Sequence, residues 1–367
     1  MAMSTYGVND TLAVKLWAKK LAVEALKATS IAPLIGTSAD SVIHRKDELS
    51  KGAGDRITYG LRTQLTGAGV SEGEVLEGNE EALSTYSDNL LINELAHAVK
   101  VPGRTKIDQK RVPFNLRDEA KSGLRDWYAK RMSVSFFNQV CGYTPANTVS
   151  ATTGPKFTGL NTVAAPSTGR KIICEAGSSN DEDLDSNDTF KLFWLDYAKE
   201  LAQTSTATSG PIRPIMIDGE EKYVCYLHPY QVTDLRTDAS TAGNWFDIQK
   251  AGLQGGQISK NPIYTGALGE YNGIILRSAF DITPGVNSST SAVISTVRRA
   301  VFMGAQAAVL GFAESNSETN YEWVEDLFDY ERELGVAAKT IWGLKKTQFN
   351  SVDFGVITLS SYAAAHA

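Results

Sequence analysis

The sequence predicts an α+β fold in which helices and strands are interleaved without any βαβ repeat. Three observations carry this: an overlong amphipathic helix at 116–141, two strand-like runs flanking a glycine-broken acidic stretch within 55–100, and a series of short apolar β-rich runs from residue 172 onward.

The chain has 367 residues, of which 42% are hydrophobic and 21% charged, with a formal net charge of -6. That length can bury a sizeable core and hold two or three substructures. The negative balance excludes a chain-wide basic nucleic-acid binder and leaves room for a local basic face. Cys141, Cys174 and Cys225 show no CxxC spacing, and His44, His97, His228 and His366 are scattered, so neither a disulfide framework nor a zinc site is expected. Free thiols fit a reducing compartment. The N-terminus lacks a basic run followed by an apolar one, and no stretch approaches 18 continuous apolar residues. A soluble chain made inside the cell, with no membrane partner, is expected.

Residues 11–36 predict an amphipathic helix carrying Leu12, Leu16, Val23 and Leu26, crowded by Lys15, Lys19, Lys20 and Lys27 and ended by Pro33 and Gly36. Two readings stay open: a helix packed on its own core, or a terminal arm reaching a neighbouring subunit. Next come a strand at Ile57–Leu61 and another at Thr85–Asn93. Between them, Gly67 to Glu81 carries Glu72, Glu74, Glu77, Glu80 and Glu81. This is a long two-stranded excursion with an acidic tip. An isolated hairpin cannot bury a core, so it needs a support, and a neighbouring subunit is the natural candidate. A plain acidic surface loop is the alternative.

Residues 116–141 form the clearest helix. Asp118 and Glu119 suit its positive end, and Leu124, Trp127, Tyr128 and Met132 make an apolar stripe. Arg117, Lys121 and Arg125 recur every four residues on another face, and Gly142 and Pro145 stop the helix. At roughly 1.5 Å per residue the rod is nearly 40 Å long. Residues 143–188 read as loops with short strands, one at Ile172–Cys174. The acidic run at 181–189 lacks the glycine and distal glutamate of a calcium loop. A second helix at Thr189–Thr204 carries Phe190, Phe193, Trp194, Tyr197, Ala198 and Leu201 as its apolar residues. A strand at Lys222–Leu227, a short helix at Tyr230–Arg236 and strands within Asn272–Ser278, Ala300–Phe312 and Phe354–Leu359 complete the chain.

Catalytic patterns are missing. There is no phosphate-binding GxxxxGK[ST] loop and no GxSxG elbow, and the spacing of Gly266, Gly269 and Gly273 suits tight turns before a strand and not a dinucleotide fingerprint. His228 before Pro229 reads as structural. No catalytic residue, cofactor or metal is predicted. The basic stripe has three open readings: a solvated face, an attraction to phosphate, or a partner for a neighbour's acidic tip.

Four segments occur in order: RDEAKSGLRDWYAKRMSVSFFNQVCGY, EEKYVCYLHPYQVTDLRTD, TGALGEYNGIILRSAF and YERELGVAAKTIWGLKKTQFNSVDFGVITL. Together they resemble the major capsid proteins of tailed bacteriophages, in the branch typified by large podophages, over about residues 9–362. The resemblance implies an HK97-like fold. Residues 1–40 would be the N-terminal arm, 41–54 and 101–165 the peripheral domain with its spine helix 116–141, and 55–100 the extended loop. Residues 166–312 would be the axial domain, and 313–367 would return to the peripheral domain and end in a C-terminal strand. The implied function is self-assembly, as pentamers and hexamers, into an icosahedral shell enclosing double-stranded DNA. The implied partners are further copies of the chain, a portal protein, a separate scaffolding protein, a cement or decoration protein and, non-specifically, packaged DNA. The place would be the virion capsid, assembled in the bacterial cytoplasm. Glu72, Glu74, Glu77, Glu80, Glu81, Arg117, Lys121 and Arg125 are then the candidates for contacts between subunits. Lys15, Lys19, Lys20 and Lys27 are the candidates to face DNA. Lys345, Lys346 and Asn350 do not by themselves establish the lysine–asparagine cross-link of some members. A tail-tube or other virion protein is the alternative, against which the long helix speaks. An enzyme or carbohydrate-binding module has no motif in its favour.

Overall fold

The computed structural model describes residues 21–46, 55–62, 69–73, 75–78, 80, 85–100, 111, 115–146, 159–175, 177–204, 210–217, 219–237, 268–313, 321–329 and 333–366. The described chain opens on helix α1, residues 21–28, which buries Leu21 and Ala25. It stops at Thr29, whose hydroxyl donates to the carbonyl of Ala129 at 2.9 Å. Pro33 sits in a 3-10 turn, Ala32–Leu34, where its fixed φ suits a first helical position. Strands β1 (Ile35–Gly36) and β2 (Ile43–Lys46) follow as a parallel pair.

Helix α2 (Leu116–Val140) matches the helix expected over 116–141. The Asn115 side chain accepts from the Arg117 amide at 3.0 Å, satisfying one of the donors left over at a helix start. Asp118 and Glu119 occupy the first turn. The early half buries one stripe, Ala120, Leu124 and Tyr128; from Met132 on almost every side chain is buried. The end is a left-handed cap: Gly142 has φ 62°. Its amide donates to Gln139 and that of Tyr143 to Asn138, at 3.3 and 3.0 Å. A Cβ at Gly142 would lie 2.8 Å from the Ala164 oxygen, so space as well as conformation demands glycine.

The late half of α2 is buried because it runs between two sheets. The first contains β1, β2, β13 (Ala308–Ala313), β15 (Glu333–Lys346) and β14 (Tyr321–Phe328), in that order, with β5 (Asn93–Lys100) also on β15. The second runs β6 (Lys171–Ile173), β18 (Val356–Tyr362), β12 (Val293–Met303), β8 (Glu220–Leu227), β10 (Ile274–Ser278), β9 (Glu270–Tyr271). It also takes β11 (Pro284–Val286) on β12 and β7 (Ile215–Ile217) on β8. Side chains of this sheet sort by the two-residue period of a strand. Val224, Tyr226, Val301, Met303 and Val356 pack with α2. Tyr223, Cys225, Leu227, Phe302, Ile357 and Leu359 pack with α3 (Leu192–Gln203) and α4 (Pro229–Thr237).

One expectation is corrected and two are extended. The face of α3 is Leu195, Ala198 and Ala202, while Phe193 and Tyr197 stay 63% and 41% exposed. At about 3.6 residues per turn Leu195, Ala198 and Ala202 share one face, and Phe193 and Tyr197 lie on another. Residues 93–100, not expected to be a strand, form β5, whose alternation of half-buried and exposed positions is that of a one-sided strand. The turn at Asn272-Gly273, expected only to precede a strand, closes a hairpin between β9 and β10: both residues have positive φ, 47° and 72°, as a type I′ turn requires. Sheet membership also cuts across chain order. β13 belongs to the first sheet and β18 to the second.

Candidate assembly surfaces

The 55–100 excursion begins as a ladder of β3 (Arg56–Arg62) against β4 (Thr85–Leu91), with Arg56 opposite Leu91 and Arg62 opposite Thr85. Its base is supported by its own chain. Ile57, Tyr59, Leu61, Leu90 and Ile92 cluster with Val309 and Ala313 of β13. Gly311 and Gly343 admit this contact: a Cβ on Gly311 would stand 2.6 Å from Ile57 Cδ1, and one on Gly343 would stand 2.2 Å from the Leu91 oxygen. The Tyr59 hydroxyl donates to Asp88 at 2.9 Å, and Lys345 pairs with the same carboxylate at 2.6 Å. Burial first, and Asp88 second, push the Tyr59 phenol far above its ordinary value.

The described residues of the tip join none of the buried apolar clusters. Gly73 and Gly78 turn the chain with φ 97° and 92°. Glu72, Glu77 and Glu80 are exposed, and Val75 and Leu76 are 68% and 64% exposed. The Glu80 carboxylate accepts from the Gly78 amide at 2.8 Å. Glu74 and Glu81 lie outside the described residues.

The basic stripe of α2 faces carboxylates of its own chain. Arg117 reaches Glu325 at 2.6 Å, where Glu325 has 3% side-chain exposure and also accepts from the Trp323 indole at 2.8 Å. Lys121 stands 3.4 Å from Glu24 on α1, and Arg125 stands 2.9 Å from Asp126. The stripe therefore ties α2 to β14 and to α1. Lys27 is exposed on α1; Lys15, Lys19 and Lys20 lie outside the described residues.

His228 is buried and its pKa is pushed down to about 4, first by burial and then by Arg298. The neutral ring accepts from the Tyr230 amide at 3.2 Å, which fixes the first turn of α4. Among the described residues, no three His, Cys, Asp or Glu side chains gather as metal ligands.

Sequence reading missed two buried ion pairs. Arg299 meets Asp181 at 2.6 Å and Lys346 meets Asp353 at 2.8 Å. The first joins positions 118 residues apart, a separation that leaves no local pattern to read. The second spans seven residues, but only the tight β16–β17 turn, Gln348–Phe349 with Val352–Asp353, brings it together. The exposed pair Phe193 and Tyr197, beside a half-buried Trp194, was legible as residues and illegible as a surface.

A family model described as phage capsid protein matches residues 5–365. A major capsid protein of Pseudomonas phage KPP25 is 29% identical over 95% of this chain and 94% of its own. Among solved structures, the capsid of Ralstonia phage GP4 superposes with a TM-score of 0.74 at 30% identity, covering 99% of both chains. The capsid of cyanophage Pam1 superposes at 0.68 with 20% identity, over 93% of this chain and 94% of that one.

Proposed function

The chain belongs to the phage capsid protein family, and from that premise we propose how it builds a shell. It is a major capsid protein of HK97-like fold whose copies form the capsid. In our reading the copies group as pentamers and hexamers of an icosahedral lattice enclosing double-stranded DNA. Portal, scaffolding and cement proteins meet that lattice, which assembles in the bacterial cytoplasm. The role is structural, with no reaction catalysed.

One observation supports the way copies engage: the extended hairpin is anchored at its base in an apolar cluster, while Val75 and Leu76 of its tip are exposed. The base gives the excursion a fixed direction; the exposed Val75 and Leu76, flanked by Glu72, Glu77 and Glu80, present a contact surface away from it. We read the tip as docking on a neighbouring copy. Repeated modest contacts of this kind gain strength in a closed lattice, because each copy is held by several neighbours at once. The Arg117, Lys121 and Arg125 face is one acceptor, although its in-chain carboxylates leave less net charge for a neighbour. Lys15, Lys19, Lys20 and Lys27 remain the residues proposed to face DNA.

The test is electron microscopy of the protein expressed alone and with its neighbouring phage genes, beside the double variant Glu74→Lys, Glu77→Lys. Closed shells or capsomer rings for the natural chain, and their loss in a variant whose thermal unfolding is unchanged, support the reading. Normal shells in the variant would remove the acidic tip from the contact. Tubes under all conditions would favour another virion component.

A further inference from the structure

We propose that a strip of cations and rings across the end of the second sheet, Lys130, Phe280, His228, Tyr230 and Arg298, seats the sugar–phosphate backbone of the packaged DNA. The inference rests on the reading that the shell encloses double-stranded DNA, and it names the residues that meet it.

The strand register gathers these residues. β8 and β10 run parallel and end together, with Ser278 opposite Leu227. β12 runs beside β8 in the opposite direction, with Val301 opposite Tyr226. His228, Phe280 and Arg298 are thereby brought to one end of the sheet, and Lys130 reaches it from α2. Neighbours along the strip touch. Lys130 Nζ stands 5.5 Å over the Phe280 ring. The Phe280 and His228 rings lie 5.7 Å apart, and those of His228 and Tyr230 lie 4.5 Å apart. The Arg298 guanidinium stands 5.9 Å over the Tyr230 ring. Phe280 is 72% exposed, so the middle of the strip is open.

Arg298 calls for an acceptor from outside the chain. Its guanidinium makes no hydrogen bond or ion pair among the described residues, and its Nε is buried. A buried donor without an acceptor is costly, so a folded chain that keeps one has a use for it. Tyr143 stands near enough for the Arg298 charge to oppose the burial-driven rise in its pKa. Neither the Tyr143 nor the Tyr230 hydroxyl bonds to another described residue. One guanidinium between two phenols is a donor set for an oxyanion, and its planar fork fits phosphate. α4 begins at Pro229, beside Tyr230, and its positive end favours the same charge.

The rest of the strip selects a nucleic-acid strand over a lone carboxylate. A carboxylate would satisfy Arg298 and leave the exposed ring and the second cation unused. A DNA strand alternates phosphate, sugar and phosphate, matching cation, ring and cation. Lys130 also contacts Asp281, which offsets part of its charge, but its side chain stays 56% exposed and keeps donors to spare. The strip also continues the face of α1. Thr29 bonds to the Ala129 carbonyl at 2.9 Å, and Ser30 to Ser133 at 2.7 Å, on either side of Lys130 in α2. Lys27 is exposed one turn earlier on α1.

Salt-dependent binding of a fluorescein-labelled DNA duplex to soluble subunits tests the strip. For the natural chain the logarithm of affinity should fall linearly with that of salt concentration. K130Q and R298Q should each flatten this slope by about 1, at unchanged melting temperature, because each removes one phosphate contact. F280A should weaken binding several-fold and leave the slope alone. K191Q, at an exposed lysine that opens α3 on the far side of the sheet, should change neither. Should R298Q not fold, K130Q and F280A decide, since both alter exposed side chains. No duplex binding by the natural chain, or an unchanged slope in the cationic variants, would overturn the strip. Polyglutamate bound as tightly as the duplex would overturn DNA as its partner. A single strand bound more tightly than the duplex, with the preference lost in F280A, would replace backbone seating by base stacking and overturn it too. Whether shells enclose DNA is read separately, from filled heads under the microscope, so failure of the strip leaves that reading standing.

Discussion

Arg299 and Asp181 form an ion pair at 2.6 Å with side-chain exposures of 4% and 0%, and the same guanidinium donates to the carbonyl oxygens of Cys141, at 3.2 Å, and Gly142, at 2.7 Å. One cation therefore closes the C-terminal end of α2, where the helix presents unpaired carbonyls and negative charge, and fastens it to the 3-10 turn Asp181–Asp183. The Asp181 carboxylate also accepts from the Val286 amide at 3.1 Å and stands 3.2 Å from Lys171.

Removing Arg299 should cost more than removing the pair. Arg299→Ala leaves a buried carboxylate without its counter-charge and is expected to destabilise the subunit by about 3–5 kcal/mol, whereas Arg299→Met with Asp181→Leu should cost less. Urea unfolding of both variants measures this; equal losses would show that the pair, and not the orphaned charge, sets the energy.

The same pair predicts an acid response. Burial would raise the pKa of Asp181, but Arg299, Lys171 and the Val286 amide outweigh it and hold it below the ordinary 3.8. A depressed carboxyl contributes stability that is fully present above 3.8 and is lost as pH falls through the folded-state value. The natural subunit should lose this contribution below pH 3.8, and Arg299→Ala should not. Acid titration of the melting temperature from pH 5 to pH 2 compares the two.

Arg117 and Arg125 test whether the basic stripe is structural. Arg117→Ala takes the counter-charge from Glu325, which is nearly fully buried and keeps its bond from the Trp323 indole, and should lower stability by about 1–3 kcal/mol. Arg125→Ala breaks an exposed pair with Asp126 and should change nothing measurable in the free subunit. If both leave melting unchanged, the in-chain role of the stripe is refuted and a role toward neighbours gains ground.

These pairs show what a linear sequence discloses. The helix at 116–141 and the strands of the hairpin were legible because period, capping residues and terminators all lie within the segment itself. Arg117, Lys121 and Arg125 were legible as a stripe by their spacing of four. Their partners Glu325 and Glu24 were not, since those come from strands and helices placed by the fold. The hairpin base was underestimated for the same reason: its support is Gly311 and Gly343, two absent side chains some 250 residues away. Outward Phe193 and Tyr197 reflect the choice of buried face: both possible stripes of this helix are apolar, and only the sheet it packs on selects Leu195, Ala198 and Ala202.

Asp234 on α4 carries a second pH response, of opposite sign. Burial pushes its pKa up to about 6, and His366, 3.2 Å away, opposes that shift. The folded chain then binds more protons than the unfolded one between the ordinary 3.8 and about 6, so stability falls as pH rises through that window. Asp234→Asn should flatten melting temperature across it. His366→Ala removes the opposing charge and should move the fall to higher pH; an unmoved profile would detach the C-terminal residues from this titration.

The two glycines beneath the hairpin should differ in cost. At Gly311 a new Cβ meets the ends of Ile57 and Leu90, at 2.6 and 2.7 Å, and both are flexible side-chain tips that can shift. At Gly343 it meets the Leu91 carbonyl oxygen at 2.2 Å and carbon at 3.1 Å, which are backbone atoms of the ladder. Gly311→Ala is therefore expected to cost about 1 kcal/mol or less, and Gly343→Ala about 1–3 kcal/mol, because only the second must move a strand. The displacement would propagate outward, since β3 and β4 form one ladder from Arg56 to Arg62. A tilt at the base is carried along the whole ladder, roughly 20 Å at ~3.3 Å per residue, toward the tip. Gly343→Ala should thus impair shell assembly beyond its effect on subunit melting, and Gly311→Ala should not. Measuring assembly yield against melting temperature for both variants decides it: if the two fall on one line, the base acts through stability alone and does not aim the tip.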